Sequence, residues 1–164
     1  MSAPSNRTPQ QALAALLDQA RPQQLLLVSA SRPPAIDAWH AAHGEAELIQ
    51  AVPGLLDAES AARRYDLALL VDCLEHLPLA TGRELLGGIR NLNASRLAVL
   101  VDPAACAWQP TDFYAMGLEL SESFARDDQR LLLFTYDLLH YKQVPDWLNA
   151  RFWANPENFG KYWW

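Results

Sequence analysis

An uninterrupted apolar segment lies near the middle of the chain and is closed at both ends by acids. Residues 67–71 read Leu-Ala-Leu-Leu-Val, between Asp66 and Asp72. A continuous run of this length, bounded by polar residues, is typical of a strand buried on both faces of a parallel sheet. Ligands of such sheets bind beyond the carboxyl ends of the strands. The segment therefore predicts a parallel α/β sheet with Asp72, Glu75 and His76 at its ligand-binding edge.

Helix and strand signals alternate on both sides of this strand. Further strands are predicted at about residues 25–28, 47–52 and 96–101, and helices at about 9–21, 34–43, 57–64, 81–92 and 112–116. Two more segments, 118–124 and 130–137, flank a polar turn and predict a hairpin. Strands that alternate with helices imply right-handed crossovers. We therefore expect a three-layer α/β domain with a mainly parallel sheet and an antiparallel hairpin at its end.

Three side-chain patterns predict where helices begin. Thr8, followed by a proline, predicts the start of the first helix. A threonine hydroxyl can accept a free N–H of the first helical turn, and a proline at the first position lacks only an N–H that has no partner within the helix. Thr81, with Glu84 three residues later, predicts a capping box. Thr111 or Asp112 is the predicted cap of the short helix before the hairpin.

Composition excludes several classes of protein. The chain has 164 residues, enough for one domain, and a formal charge of −6. Its only adjacent basic pair is Arg63-Arg64, which argues against a nucleic-acid partner. No stretch approaches the roughly 20 apolar residues that would span a bilayer, and the polar N-terminus does not resemble a signal peptide. We expect a cytoplasmic protein, with Cys73 and Cys106 as thiols rather than a disulfide.

The residues around the central strand resemble a known family. Residues 71–78, Val-Asp-Cys-Leu-Glu-His-Leu-Pro, are similar to the loop after the fourth strand of class I S-adenosylmethionine-dependent methyltransferases. The order of elements, including the final hairpin after Gly117-Leu118-Glu119, resembles the same fold over about residues 24–138. The resemblance implies a Rossmann-like methyltransferase fold and places S-adenosylmethionine at the carboxyl edge.

Two cofactor-binding elements of that family are altered in this chain. The loop after the first strand, where Ser29, Ser31 and Arg32 would contact the cofactor, contains no glycine, and its two prolines remove two amide donors. The acid that would hold the ribose at the end of the second strand is missing; Glu45 and Glu47 lie before or early in that strand. We therefore expect no cofactor, with S-adenosylmethionine as the alternative.

The remaining candidate residues each have a functional and a structural interpretation. Asp72 could accept hydrogen bonds from a ligand and His76 could act as a base, or the two could simply cap and pack the loop. Arg32 could bind an anion at the following helix terminus, or lie on the surface. Asp37, His40 and His43 share a helix face, but no further ligand pattern accompanies them, so we expect no metal site.

The last 24 residues differ in composition from the rest. Residues 141–164 contain eight of the sixteen aromatic residues, four of the six tryptophans and both lysines. Rings in such number require burial. We divide the chain into a domain of residues 1–140 and an aromatic tail, which covers a sheet edge or the cleft of its own domain, or else forms a homodimer or protein-partner interface. Stacking on single-stranded nucleic acid is a further alternative that the negative charge disfavours.

These features together predict a methyltransferase-like protein that has lost its cofactor and acts as a non-catalytic binding or interaction module. The first alternative is a divergent S-adenosylmethionine-dependent methyltransferase with Asp72, Glu75 and His76 as catalytic residues. The second is a small-anion-binding protein that uses Arg32.

Overall fold

A computed structural model describes residues 6–126 and 128–138. Their elements follow in this order: α1 (Pro9–Ala20), β1 (Gln24–Ser29), α2 (Pro34–Ala42), β2 (Glu47–Ala51), α3 (Ala58–Ala61), β3 (Leu67–Val71), a 3₁₀ turn (Leu74–His76), α4 (Leu79–Gly88), a π-helical turn (Ile89–Asn93), β4 (Arg96–Val101), α5 (Pro110–Ala115), β5 (Glu119–Arg126) and β6 (Gln129–Asp137). Residues 139–164, which include the aromatic tail, lie outside the described part.

The six strands form one sheet in the order β2-β1-β3-β4-β6-β5. The first four are parallel, and β6 is antiparallel to both β4 and β5. The central strand β3 has neighbours on both sides, and its Leu69 lies between Leu27 of β1 and Ala98 of β4. Because β3 has a helix layer on each face, both sets of its alternating side chains are buried. The predicted mixed α/β sheet with an antiparallel C-terminal hairpin is confirmed.

The sheet has a separate apolar core on each face. On one face, α1 and α2 bring Leu13, Leu17 and Ile36 against the odd-numbered residues of β1 and β3. On the other face, α4, the π-helical turn and α5 cover the even-numbered residues, and the rings of Trp108, Phe113 and Phe134 are stacked. The alternation of side chains along each strand divides one apolar run between these two cores.

Two of the three helix starts differ from the sequence prediction. The Thr8 hydroxyl accepts the Gln11 N–H at 3.1 Å, as expected. The capping box predicted at Thr81 is wrong: α4 begins two residues earlier, directly after Pro78. The proline fixes an extended backbone at Pro78, and Leu79 then enters the helix while packing on the core.

The start of α5 also lies outside the predicted positions. Gln109 is its N-cap, and Asp112 is the third helical residue, whose carboxylate accepts the Gln109 N–H at 2.8 Å. Asp112 therefore belongs to the capping interaction without being the cap itself. No helix among residues 6–126 and 128–138 is long and apolar enough to cross a membrane.

Candidate functional site at the carboxyl edge of the sheet

Asp72 begins the turn that follows β3, and its backbone is left-handed with φ 51°. Its carbonyl accepts the Ala30 N–H at 3.2 Å, which ties the loop after β3 to the loop after β1. The 3₁₀ turn then returns the chain so that His76 Nε2 lies 2.8 Å from Asp72 Oδ1. Both side chains are about half exposed, at 45% and 49%. The structure thus brings together an acid and a histidine that the sequence separates by four positions, within reach of a ligand from solvent.

Glu75 lies near this pair and is less exposed to solvent. Its side chain is half-buried, and the Oε1 atom is buried without a hydrogen-bond partner. The pKa of the Glu75 carboxyl is raised to about 7, mainly by burial; the negative charges of Asp72 and Asp102 contribute to this rise, whereas a backbone hydrogen bond and His76 oppose it. A carboxyl group with such a pKa can hold or release a proton near neutral pH.

The two cysteines border the same region as free thiols. Burial raises the pKa of the Cys73 thiol to about 12, with Glu75 and Asp72 adding to the effect. Burial also raises the pKa of Cys106. Since the thiolate is the reactive form, neither residue is a good nucleophile at neutral pH.

The loop after β1 is closed by its own hydrogen bonds. The buried Ser29 hydroxyl accepts the Ser31 N–H at 3.2 Å and contacts the Ser31 carbonyl oxygen. Ser31 and Arg32 point to the surface, where Arg32 is paired with Asp37 of α2. Ser29 is therefore engaged within the loop, and the positive charge of Arg32 already has a partner. This pairing gives the anion-binding interpretation of Arg32 no support.

The helix that follows this loop offers few amide donors. Pro33 is the N-cap of α2 and Pro34 is its first residue, and the N–H of the next residue, Ala35, already donates to Gln10 Oε1 of α1 at 3.0 Å. A helix N-terminus binds anions through its free N–H groups, of which proline has none. The loop and the helix terminus together provide a poor cradle for a carboxylate or phosphate.

No acid in the described chain takes the ribose-binding position at the end of β2. Glu47 begins this strand, at the opposite edge of the sheet, and is held there by Arg63 at 2.5 Å. The strand ends at Ala51, and the loop beyond it exposes Val52 by 78% and Leu55 by 54%. The carboxyl end of β2 is thus apolar where the methyltransferase resemblance implies an acid.

Sequence reasoning missed Asp102 as a site residue. It follows β4 directly, its charge contributes to the raised pKa of Glu75, and its carboxylate accepts the Ala104 N–H at 2.9 Å. The signal was available, because an acid that follows a parallel strand lies at the same edge as Asp72. Asp72 and Asp102 give this edge a negative character, to which Glu75 adds once it has lost its proton.

The helix face of Asp37, His40 and His43 forms no common site. Asp37 pairs with Arg32, whereas the His43 ring stacks on Trp39 and its Nδ1 lies 2.9 Å from the Trp39 carbonyl. Among the described residues, no group of three His, Cys, Asp or Glu side chains is arranged to hold a metal ion.

Several solved structures that share this fold are methyltransferases. Magnesium protoporphyrin IX methyltransferase of Synechocystis, solved with bound S-adenosylmethionine, is 12% identical with a TM-score of 0.57, over 77% of this chain and 76% of that one. The methyltransferase domain of bacterial CtHen1 is 9% identical with a TM-score of 0.53, over 79% and 98%. A protein of Nostoc punctiforme, described as a candidate O-methyltransferase, is 18% identical with a TM-score of 0.52, over 77% of this chain and only 55% of its own length.

These likenesses show that the chain has the methyltransferase fold. No curated protein sequence matches the chain. A family model does match, over residues 7–164, and its description is a family of unknown function. This match includes the whole α/β domain from Arg7 onward and the aromatic tail. The chain therefore belongs to the family of unknown function DUF6231.

Proposed function

We propose that this protein has kept the methyltransferase fold, has lost S-adenosylmethionine binding, and acts as a non-catalytic binding module. The observation that carries the proposal is the loop after β1. A cofactor there needs free amides and close backbone approach, and glycine permits both. Ser29 instead bonds to Ser31 within the loop, and Pro33 and Pro34 remove donors from the helix terminus.

The end of β2 supports the same proposal. A ribose needs a hydrogen-bond acceptor at this position, whereas Val52 and Leu55 present apolar surface there. The acid of the following loop, Asp57, accepts the Ser60 N–H at 2.7 Å as the cap of α3 and is engaged in that role. Val52 and Leu55 lie at the same carboxyl edge of the sheet as Asp72 and His76, with β1 between the two groups. An edge that presents both apolar and polar side chains is typical of a recognition surface.

The experiment is calorimetric titration of the full-length protein with S-adenosylmethionine and with S-adenosylhomocysteine. Folding is first verified by circular dichroism and a cooperative urea transition. We expect no saturable heat up to millimolar ligand. Saturable one-site binding at micromolar ligand, reduced by Asp72→Ala but not by the surface variant Glu84→Gln, would overturn the proposal.

A divergent methyltransferase is the second candidate, favoured by one specific observation. The Asp72–His76 pair and the nearby Glu75 carboxyl form a set of proton acceptors at the carboxyl edge. In such an enzyme His76 would accept the substrate proton and Asp72 would orient the ring. The titration separates the two candidates, because the enzyme requires the cofactor to bind and the binding module does not.

A further inference from the structure

A groove lies at the opposite edge of the sheet from the candidate site. It has a volume of about 310 Å³ and runs between α1 and the amino ends of β3 and β4, with the β5–β6 hairpin as its far wall. Its floor is formed by Leu67 and Leu133, which belong to the core on the α1 face of the sheet, and by Leu16 of α1. The small side chains Ala12 and Ala15 of α1 leave the space open. We call this feature the α1 groove.

The rims of the α1 groove are polar. Arg7 pairs with Glu122 at one position, and Arg96 Nε lies 3.3 Å from Asp137 Oδ2 at another. An apolar floor between guanidinium and carboxylate groups suits tryptophan and tyrosine, whose rings need burial and whose N–H and O–H groups need acceptors. Arginine side chains also stack on aromatic rings. The groove therefore matches aromatic side chains with polar tips.

The chain leaves the sheet at this groove. Asp137 is the last residue of β6 and part of the groove wall, and the Leu138 N–H donates to the Ser95 carbonyl at 2.8 Å. The 26 residues 139–164 follow directly. An extended chain spans about 3.3 Å per residue, whereas the 12 residues of α1 span about 18 Å. Six extended residues are therefore enough to cover the groove, and tethering at its wall gives the segment a high effective concentration there.

We propose that residues 139–164 of the same chain cover the α1 groove and seat aromatic side chains on its floor. The segment has the matching composition, with eight aromatic residues between positions 141 and 164. The family match extends without interruption from Arg7, on the groove rim, to residue 164, so groove and segment belong to one family unit. The groove lies at the amino edge, so the segment completes the core on the α1 face and leaves the carboxyl edge uncovered. This proposal does not depend on whether a cofactor binds.

The test uses Ala15→Arg in the full-length protein, with Asp18→Arg as the matched control. Ala15 lines the groove and is partly buried, whereas Asp18 is an exposed residue of the same helix outside the groove. Arginine is a good helix former, so both variants should keep α1. Circular dichroism verifies this point for each variant.

The readout is acrylamide quenching of tryptophan fluorescence. Trp39 and Trp108 are buried, at 6% and 1% exposure, so a rise in quenching reports mainly on the four tryptophans of the tail. We expect low quenching in the unaltered protein, a several-fold higher quenching constant in Ala15→Arg, and no change in Asp18→Arg. Sedimentation velocity should show a monomer whose quenching is independent of concentration.

Three results would overturn the proposal. Equal quenching in a folded Ala15→Arg variant would place the tail elsewhere. Protection that appears only at concentrations where a dimer sediments would assign the groove to a second copy. If acrylamide quenched the tail tryptophans fully in the unaltered monomer, the tail would not cover the groove, and a different protein would be its occupant.

Discussion

Replacing Glu75 with glutamine removes one half-buried carboxyl group and keeps the size of the side chain. Burial raises the pKa of this carboxyl from its ordinary 4.5 to about 7. The folded state therefore holds a proton at pH values where the unfolded chain has already released it. The stabilisation from Glu75 is fully present below about pH 4.5 and is lost as the pH rises to about 7.

The size of the effect follows from the same shift. A pKa change from 4.5 to about 7 corresponds to about 3 kcal/mol in the free energy of unfolding if solvent does not screen it. Because Glu75 is only half-buried, solvent screening reduces the expected effect to about 1–2 kcal/mol. Above pH 7 the charged carboxylate is repelled by the charges of Asp72 and Asp102, and the neutral glutamine amide avoids this repulsion.

Urea denaturation at intervals between pH 5 and pH 8 measures the effect. We expect Glu75→Gln to gain about 1–2 kcal/mol in free energy of unfolding, relative to the unaltered protein, between the two ends of this range. Glu84→Gln, which removes an exposed carboxylate of α4, is the control and should follow the unaltered protein. Parallel curves for the unaltered protein and Glu75→Gln, or a relative loss at pH 8, would refute the argument.

Further predictions concern helix and core packing, and urea denaturation checks each of them. Gly88→Ala should stabilise by about 0.5–1 kcal/mol, because a Cβ there meets nothing within 4 Å and alanine favours the helix. Gly82→Ala, in the same helix, should lose that gain, since its Cβ would lie 3.1 Å from the Trp108 ring nitrogen; equal stabilisation of the two variants would contradict the packing of Trp108 on α4. Phe134→Ala should destabilise by about 3–5 kcal/mol, because the ring is fully buried in an aromatic stack. Asp57→Ala should cost about 1 kcal/mol through loss of the α3 cap, and no loss would show that the cap is dispensable.

Much of the fold could be predicted because the strong signals are local. The apolar run at residues 67–71 and the alternating segments around it identified the strands within one or two residues. Thr8 was predicted correctly as a cap because its hydroxyl acts within its own turn. Thr81 was not, because the helix start after Pro78 depends on packing of Leu79 against the core, which no local pattern records.

The candidate site was predicted in part. Asp72, Glu75 and His76 were identified from a short motif, and two of them form a hydrogen-bonded pair. Asp102 was missed as a neighbour, since it lies 27 positions beyond Glu75 and comes close only when β3 and β4 pair. The engagement of Arg32 by Asp37 likewise depends on how the loop enters α2.

By itself, the sequence determined the order of elements, the mixed sheet and the chemistry available at its carboxyl edge, because these follow from residue type and short-range periodicity. The tertiary structure decided which of those groups lie in contact, which are buried from solvent and which already have a hydrogen-bond or ion-pair partner. It alone gave Glu75 its raised pKa, closed the Ser29 loop and opened the α1 groove where the chain leaves β6. Burial and charge proximity are properties of packed surfaces, and packing joins residues that the chain keeps far apart.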